Sequence, residues 1–312
     1  MIRKPTELSD GDKRIRMLIA GFPGIGKTTL ALSAPKPLHI DVDFGADRVE
    51  SRYRADYIQP LDYQEILDDL TPENVKDYET LVFDTGGKLI NLMSTWAIKQ
   101  DPKYGHRDGS LSLKGYGAVG REFVRLMDHC FYKLHKHIVI VFHAVEEKDG
   151  DNTKLRIKVE GQTKNNVWEP MDLGGFVEMQ GDDRTIGFSN CERYYAKGTR
   201  GIKGIYKIPQ LGPTDANNFL TNLFTQYNEL TAEESAHAES EKKAYQDTMD
   251  AAKMMLDLVE NADTANTAIP AFAALDHHLT SKKEVGAMWK AKMQDLGLVL
   301  DPDTKQYRPA EA

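Results

Sequence analysis

The ten residues Gly21–Leu30, GFPGIGKTTL, constrain what this chain can fold into more than any other stretch. Glycines, a lysine and paired threonines suit a loop that grips an anion and do not suit a packed core. Gly21, Gly26, Lys27 and Thr28 fit the pattern G-x4-G-K-[ST] without a mismatch. An apolar run, Met17–Ala20, enters the loop, and a helix-like segment leaves it. The expected nucleotide contacts are Gly21, Phe22, Pro23, Gly24, Ile25, Gly26, Lys27, Thr28 and Thr29. The glycines let backbone N–H groups curl round a β-phosphate, and the helix that follows points its N-terminus at the same anion. Lys27 supplies a point charge to the β- and γ-phosphates, and the Thr28 hydroxyl is a Mg²⁺ ligand.

A second acid completes this expectation. Asp84 ends the apolar run LVFD, where a carboxylate can hold the water shell of Mg²⁺. Asp84–Gly87, DTGG, also fits the D-x-x-G of GTP-binding proteins. A guanine site further needs N-K-x-D after a later strand, and that tetrapeptide occurs nowhere in the chain. The cofactors expected are therefore ATP and Mg²⁺.

Apolar runs alternate with amphipathic ones through the first half. Strands are expected at Arg14–Ala20, Leu38–Asp43, Asp56–Gln59, Glu79–Asp84 and His137–His143. Helices are expected at Lys27–Ser33, Tyr63–Leu70 and Gly120–Lys136. Strands that are apolar throughout, alternating with helices, imply a parallel sheet covered on both faces. After Glu146 the runs TKLRIKVE, RTIGFSN, ERYYAKG and IKGIYKI read as edge β-hairpins. From Thr231 the chain turns helical and acidic. Asn261–Thr267 reads as a linker. Ser281–Gly297 reads as a helix with a capping box at Ser281 and Glu284 and a glycine stop at Gly297. The end, LVLDPDTKQYR, reads as a small hairpin. Two domains follow: 1–230, an ATPase core, and 231–312, an acidic helical region.

Two further residues have the chemistry for hydrolysis. Asp41 and Asp43 end the second strand, and alternation would put both on one face. Asp43 is nearer the tip, where the phosphates are expected, so it is the candidate to orient the attacking water. His143 ends what reads as the last parallel strand, beside the expected γ-phosphate, and is the candidate phosphate sensor.

The order of loop, strand-end acid, LVFD and a strand ending in a polar group resembles the RecA-like ATPase core over about residues 14–210. It is most similar to the phage nucleotide-binding proteins that include the Sak-type single-strand annealing ATPases. The resemblance implies an α/β fold with a RecA-like P-loop NTPase core, a mostly parallel sheet, edge hairpins and a C-terminal helical extension. It implies that Asp43 stands where the family carries a water-activating glutamate, and that His143 is the polar sensor. It also implies a homo-oligomer in which a cation near the late hairpins, Lys197 or Arg200 with Lys203 close by, reaches the neighbour's ATP.

Net charge is −8 at pH 7, and the acidic end carries a large part of the excess, so nucleic acid would have to meet a local basic patch. Two segments offer one: Asp101–Gly117, with Lys103, His106, Arg107, Lys114, Tyr104 and Tyr116, and Lys154–Trp168, with Lys154, Arg156, Lys158, Lys164 and Trp168. Cations meet phosphates and aromatic rings stack on bases, and the resemblance places DNA-binding loops at both positions. The expected partner is single-stranded DNA, in phage recombination or strand annealing. A single-strand-binding or replication protein would be the partner of the C-terminal region. A helicase loader, a helicase-like motor, or a nucleotide-gated binding module of low turnover are the alternatives. The N-terminus has no apolar segment of a signal peptide, and no run approaches the roughly 20 residues of a membrane span. The expected location is the cytoplasm, that of the host for a phage protein. Cys130 and Cys191 read as two reduced thiols. The adjacent histidines of Asp276–Leu279, DHHL, would point to different faces of a helix and do not suggest a metal site.

Overall fold

The computed structural model describes residues 13–150, 152–159 and 163–310. The leader reading of residues 1–12, the stretch Glu160–Gln162 and the side chain of Lys164 lie outside what is described. The chain divides into two compact units, with the boundary between Leu230 and Thr231.

The first unit starts with β1 (Arg16–Gly21), the loop, and α1 (Lys27–Ala31). There follow β2 (Pro37–Asp41), β3 (Asp56–Ile58), α2 (Tyr63–Asp69), β4 (Thr80–Asp84), α3 (Gly86–Gln100) and α4 (Leu113–Asp128). Next come β5 (His137–Asp149), β6 (Asn152–Ile157), α5 (Thr163–Trp168), β7 (Leu173–Gln180), β8 (Asp183–Gly187), β9 (Ile205–Lys207) and α6 (Phe219–Asp257), within which the boundary falls. The main sheet has the order β3-β2-β4-β5-β1-β7-β8-β9, with β6 paired to β5. It is parallel from β3 through β7 and antiparallel at β8 and β9. This is the α/β architecture the sequence implies: a mostly parallel sheet, antiparallel edge strands and a helical C-terminal region.

Alternation along the strands builds two cores. Leu18, Ala20, Ile40, Leu81, Phe83, Ile140 and Phe142 face α2, α3 and α4. Met17, Ile19, Val82, Val139 and Val141 face α1 and the start of α6, where Leu220, Leu223 and Phe224 pack. Both faces of the central strands are thus buried, which is why those strands read as continuous apolar runs. The strand β5 lies between β1 and β4, so the loop after β1 and the acid at the end of β4 stand two strands apart on the same edge.

Several expectations change. The strand expected over Leu38–Asp43 ends at Asp41, whose carboxylate turns back on the chain. His143 does not end the last parallel strand. β5 runs on to Asp149, pairing with β6, and β7 is a further parallel strand beside β1. The segment ERYYAKG forms no strand and makes only isolated bridges, Leu155 with Tyr194 and Gly174 with Lys197. Helix α3 is an additional element between β4 and α4. Thr85 caps its start by accepting from the Lys88 N–H, and its first residue is glycine because a Cβ there would come 2.3 Å from the Phe142 ring. Gly86 of DTGG is therefore a packing requirement, whereas a Cβ at Gly87 would meet only the Lys158 carbonyl oxygen, at 3.4 Å. The helix expected from Gly120 starts earlier, at Leu113, capped by Ser112, and its end is a π-turn, His129–Lys133.

In the second unit, the end of α6 packs with α7 (Ala262–Ala273) and α8 (Ser281–Asp295), and β10 (Leu298–Leu300) pairs with β11 (Tyr307–Pro309). Met249, Ala252, Leu256, Phe272 and Val285 form its main core, with the Trp289 ring against Phe272. Asn261–Thr267 is not a linker: Asn261 and Thr264 form a reciprocal capping box that opens α7. The capping box expected at Ser281 and Glu284 does not form, since the N-cap residue makes no side-chain hydrogen bond to the helix backbone. Thr280 is the N-cap and its hydroxyl donates to Glu284, while the buried Ser281 hydroxyl accepts from the His278 N–H. His277 and His278 lie before that helix, not on one. Gly297 does stop α8, at φ 62.

Candidate nucleotide-binding site

The loop between β1 and α1 has the backbone that its glycines permit. Gly24 and Gly26 have φ of 78 and 83, in the left-handed region. Gly21 is needed for a different reason, since a Cβ there would come 2.9 Å from the Val177 carbonyl oxygen of β7. Lys27 opens α1 and is only 5 % exposed. Its Nζ donates to the Phe22 carbonyl at 2.8 Å, folding back over the loop. Burial pulls its pKa below the usual lysine value, and the charge of Asp84 opposes that shift. A phosphate in the loop would give this ammonium an anionic partner in place of a neutral carbonyl.

At the second residue of α1, the Thr28 hydroxyl donates to Asp84 Oδ2 at 2.5 Å. A hydroxyl and a carboxylate brought together in this way are hard oxygen donors of the kind Mg²⁺ takes, usually with waters and substrate phosphates completing its shell. Burial pushes the Asp84 carboxyl up to about 6, against the Thr28 hydrogen bond, with the charge of Asp41 adding to the rise. His39 on β2, buried and not singled out by the sequence, holds its Nε2 3.9 Å from Asp84 and 4.0 Å from Asp41, with no hydrogen-bond partner. A carboxylate so placed is a burden on the nucleotide-free protein. Between about pH 4 and pH 6 the folded chain binds more protons at Asp84 than the unfolded chain does, so its contribution falls as pH rises through that window. Asp84→Asn is therefore expected to stabilise the nucleotide-free protein at pH 7.5, by up to about 3 kcal/mol. The gap should close by pH 4. Thermal melts of both proteins at the two pH values check this, and an equal effect at both would rule out the buried charge as its source.

The acid that ends β2 and the one just beyond it have separate fates. Asp41 is buried and its oxygens are fully engaged, accepting from the N–H groups of Gly45 and Ala46 and from Gln59 Nε2 at 2.8–2.9 Å. Asp43 lies beyond the strand, so alternation does not set its direction. Its own N–H donates to the Asp84 carbonyl at 3.2 Å, which anchors it next to the β4 tip. Its carboxylate meets Arg48 Nη1 at 3.4 Å and lines a cavity of about 500 Å³. Thr85, Lys88, Tyr116, His143 and Lys158 share that cavity. His143 pairs in register with Gly21 at the mouth of the loop, and its buried Nδ1 has no partner. Burial first, and then Lys27, lower its pKa, so the imidazole is neutral at pH 7. The structure thus brings together Lys27, Thr28, Asp84, Asp43 and His143 at one edge of the sheet.

It does not bring Lys197 and Arg200 there. Lys197 bridges to Gly174, and its Nζ donates to the Glu169 carbonyl at 3.3 Å. Thr199 donates to the Asp172 carbonyl, and Asp172 in turn pairs with Arg16, the first residue of β1. Both cations therefore stand toward the end of β1 away from the loop, with Arg200 and Lys203 exposed. The cation found at the loop is Arg184 of β8, which no motif marked. Its Nη1 lies 3.5 Å from the Ile25 carbonyl oxygen. The only pattern that could have found it is the alternation of RTIGF, which puts Arg184 on the same face as the buried Ile186.

The two basic segments are only partly loops. Asp101–Gly117 is a capped turn, with Ser110 accepting from His106, running into α4. Lys154 and Arg156 lie on β6 and Trp168 ends α5. Part of each segment, Gly109–Leu111 with Tyr116 and Lys158 with Val159, converges on the cavity that holds Asp43 and His143. Among the described residues no group of three or more His, Cys, Asp or Glu could hold a metal ion on its own, and no helix is long and apolar enough to cross a membrane. Cys130 is buried and Cys191 exposed, and neither is in a disulfide.

A glycine loop entered by a strand, a lysine folded over it, and a hydroxyl–carboxylate pair beside it define the P-loop NTPase class. The sequence matches the AAA domain family over residues 13–200, more than half of its length, and the chain belongs to that family. Among solved structures, a KaiC-like protein from the hyperthermophilic archaeon Pyrococcus horikoshii OT3 is similar at 12% identity, over 62% of this chain and 89% of that one, with a TM-score of 0.34. No curated protein matches the sequence.

Proposed function

We propose that this protein binds ATP with Mg²⁺, hydrolyses it, and acts on single-stranded DNA in recombination or strand annealing, as the Sak-type phage ATPases it resembles do. Lys27 neutralises phosphate charge, and Thr28 and Asp84 hold the metal. When bound, Mg²⁺ would draw off charge developing on the phosphates. Asp43 accepts the proton of the attacking water and His143, neutral, donates or accepts a hydrogen bond at the γ-phosphate.

The observation that carries the DNA reading is the cavity beside Asp43. Lys88, Lys158 and Tyr116 offer cations and an aromatic ring within it, in walls shared with Asp43 and His143. A strand whose backbone enters there would touch the residues that handle water and phosphate, which couples binding to turnover. Support for a homo-oligomer is the placement of Lys197 and Arg200 away from their own loop, where a neighbouring copy can use them. The acidic second unit is the candidate contact for a replication or single-strand-binding protein.

The test is the ATPase rate without DNA, with single-stranded DNA and with duplex, at several salt concentrations. Single strands should raise the rate several-fold and duplex much less, with stimulation falling as salt rises. Nucleotide binding with negligible turnover under every condition would favour the nucleotide-gated binding module. Unwinding of duplex would favour a motor.

A further inference from the structure

Arg184 occupies an unusual position. Its strand, β8, pairs Arg184 with Met179 of β7, and β7 pairs Val177 with Gly21. Arg184 therefore lies at the loop end of the sheet, on the face where Ile186 packs with Leu30 and Ala31 of α1. The guanidinium reaches Gly26, where an added Cβ would come 2.2 Å from Nη1. A side chain at Gly26 is thus excluded by Arg184 as well as by its φ of 83.

The guanidinium is poorly served where it stands. Among the described residues its one hydrogen bond is to the Ile25 carbonyl, at 3.5 Å, and the group has five donors. The neighbouring acids are engaged elsewhere: Asp183 pairs with Lys207, and Glu178 with Arg193. Among the described residues no carboxylate pairs with Arg184, and burial lowers its pKa with no acid opposing the shift. Arginine does not escape by losing its proton, so a half-buried guanidinium without a counter-ion is held at a cost. A built anion loop beside it offers the compensating charge.

We propose that Arg184 is a phosphate ligand supplied in cis, donating a charge-assisted hydrogen bond to the polyphosphate of the nucleotide held by Gly21–Thr28. The planar fork lets one nitrogen stay on the Ile25 carbonyl while another reaches the phosphate, which a lysine cannot match. This rests on the nucleotide-binding reading of the loop. It differs from the expected role of Lys197 or Arg200, since those would act on a neighbour's site.

The experiment compares the full-length protein with Arg184→Gln and Arg184→Lys, measuring Kd for ATP, ADP and adenosine by titration calorimetry and melting with and without ATP. Glutamine keeps a donor for the Ile25 carbonyl and removes the charge. Arg184→Gln is expected to weaken ATP and ADP roughly 10- to 100-fold. Arg184→Lys should fall between it and the parent. Without nucleotide, Arg184→Gln should melt at the parent temperature or above it, and the rise on adding ATP should shrink. ATP affinity of Arg184→Gln within about twofold of the parent would overturn the assignment. So would a loss of affinity accompanied by a lower nucleotide-free melting temperature in both variants, the mark of a strut for the loop. A parent protein that binds no nucleotide would overturn the reading of the loop itself, and the assignment with it.

Discussion

Lys27→Ala is expected to weaken ATP binding on the order of 100-fold and to lower turnover at saturating ATP by a further 10²–10³, without unfolding the chain. The side chain is nearly inaccessible, and its removal takes one favourable charge away from the buried Asp84 carboxylate. Its Nζ partner is the Phe22 carbonyl, a neutral group on an open loop that water can reach. The charge itself is disfavoured by burial in the nucleotide-free protein, so losing it relieves desolvation there. Alanine also suits the first turn of α1 better than lysine does. Relief of the lysine's desolvation and loss of its attraction to Asp84 oppose each other, so the nucleotide-free melting temperature should change little. Calorimetric titration with ATP and a steady-state phosphate-release assay check the two losses separately. ATP affinity and turnover that survive in a folded Lys27→Ala protein would remove the loop from the mechanism.

The loop and Asp84 were legible because their chemistry is local. A strand, three glycines and a lysine within one short stretch specify a backbone shape that needs no distant partner. LVFD needs only the end of a buried strand. The edges of elements were less legible. β2 stops at Asp41 because that carboxylate finds the N–H groups of Gly45 and Ala46, a turn that alternation alone does not reveal. α3 was hidden because its first residues, Gly86 and Gly87, are poor helix formers, and the demand of the Phe142 ring for Gly86 appears only once β5 lies beside β4.

The remaining site residues were illegible for a related reason. Arg184 lies more than 150 positions from the loop it touches, and its place follows from the register of β8 on β7 and of β7 on β1. The parallel strand β7 contains Gly174 and Gly175, residues that weaken a strand pattern, so it does not stand out as a continuous apolar run. Gly174 faces the Trp168 ring and Gly175 faces Ile186, at distances no side chain would fit. Once β7 is missing from the reading, nothing after it can be placed. Lys197 and Arg200 enter through the resemblance, which sends such a cation to the neighbour's ATP, and they stand near the far end of β1.

Asp43→Asn is expected to leave ATP affinity within a few-fold and to lower the hydrolysis rate by roughly 10²–10⁴, the range of a lost general base. The asymmetry between the two acids is what makes this a sharp test. Asp41 accepts from two backbone N–H groups and Gln59, so Asp41→Asn should act on stability, losing about 1.5–3 kcal/mol for a charged hydrogen-bonding group, with turnover following the folded fraction. Asp43 has one exposed partner, Arg48, and faces the cavity shared with His143 and Lys158. Its substitution should leave the melting temperature almost unchanged. Single-turnover hydrolysis with prebound ATP separates the chemical step from binding, and melting curves separate both from folding. If Asp43→Asn hydrolyses at the parent rate while a folded Asp41→Asn does not, the base is the buried acid, and the Asp41 turn must open when nucleotide binds. If neither acid matters, water must be oriented by His143, whose unpartnered Nδ1 is then the next group to remove.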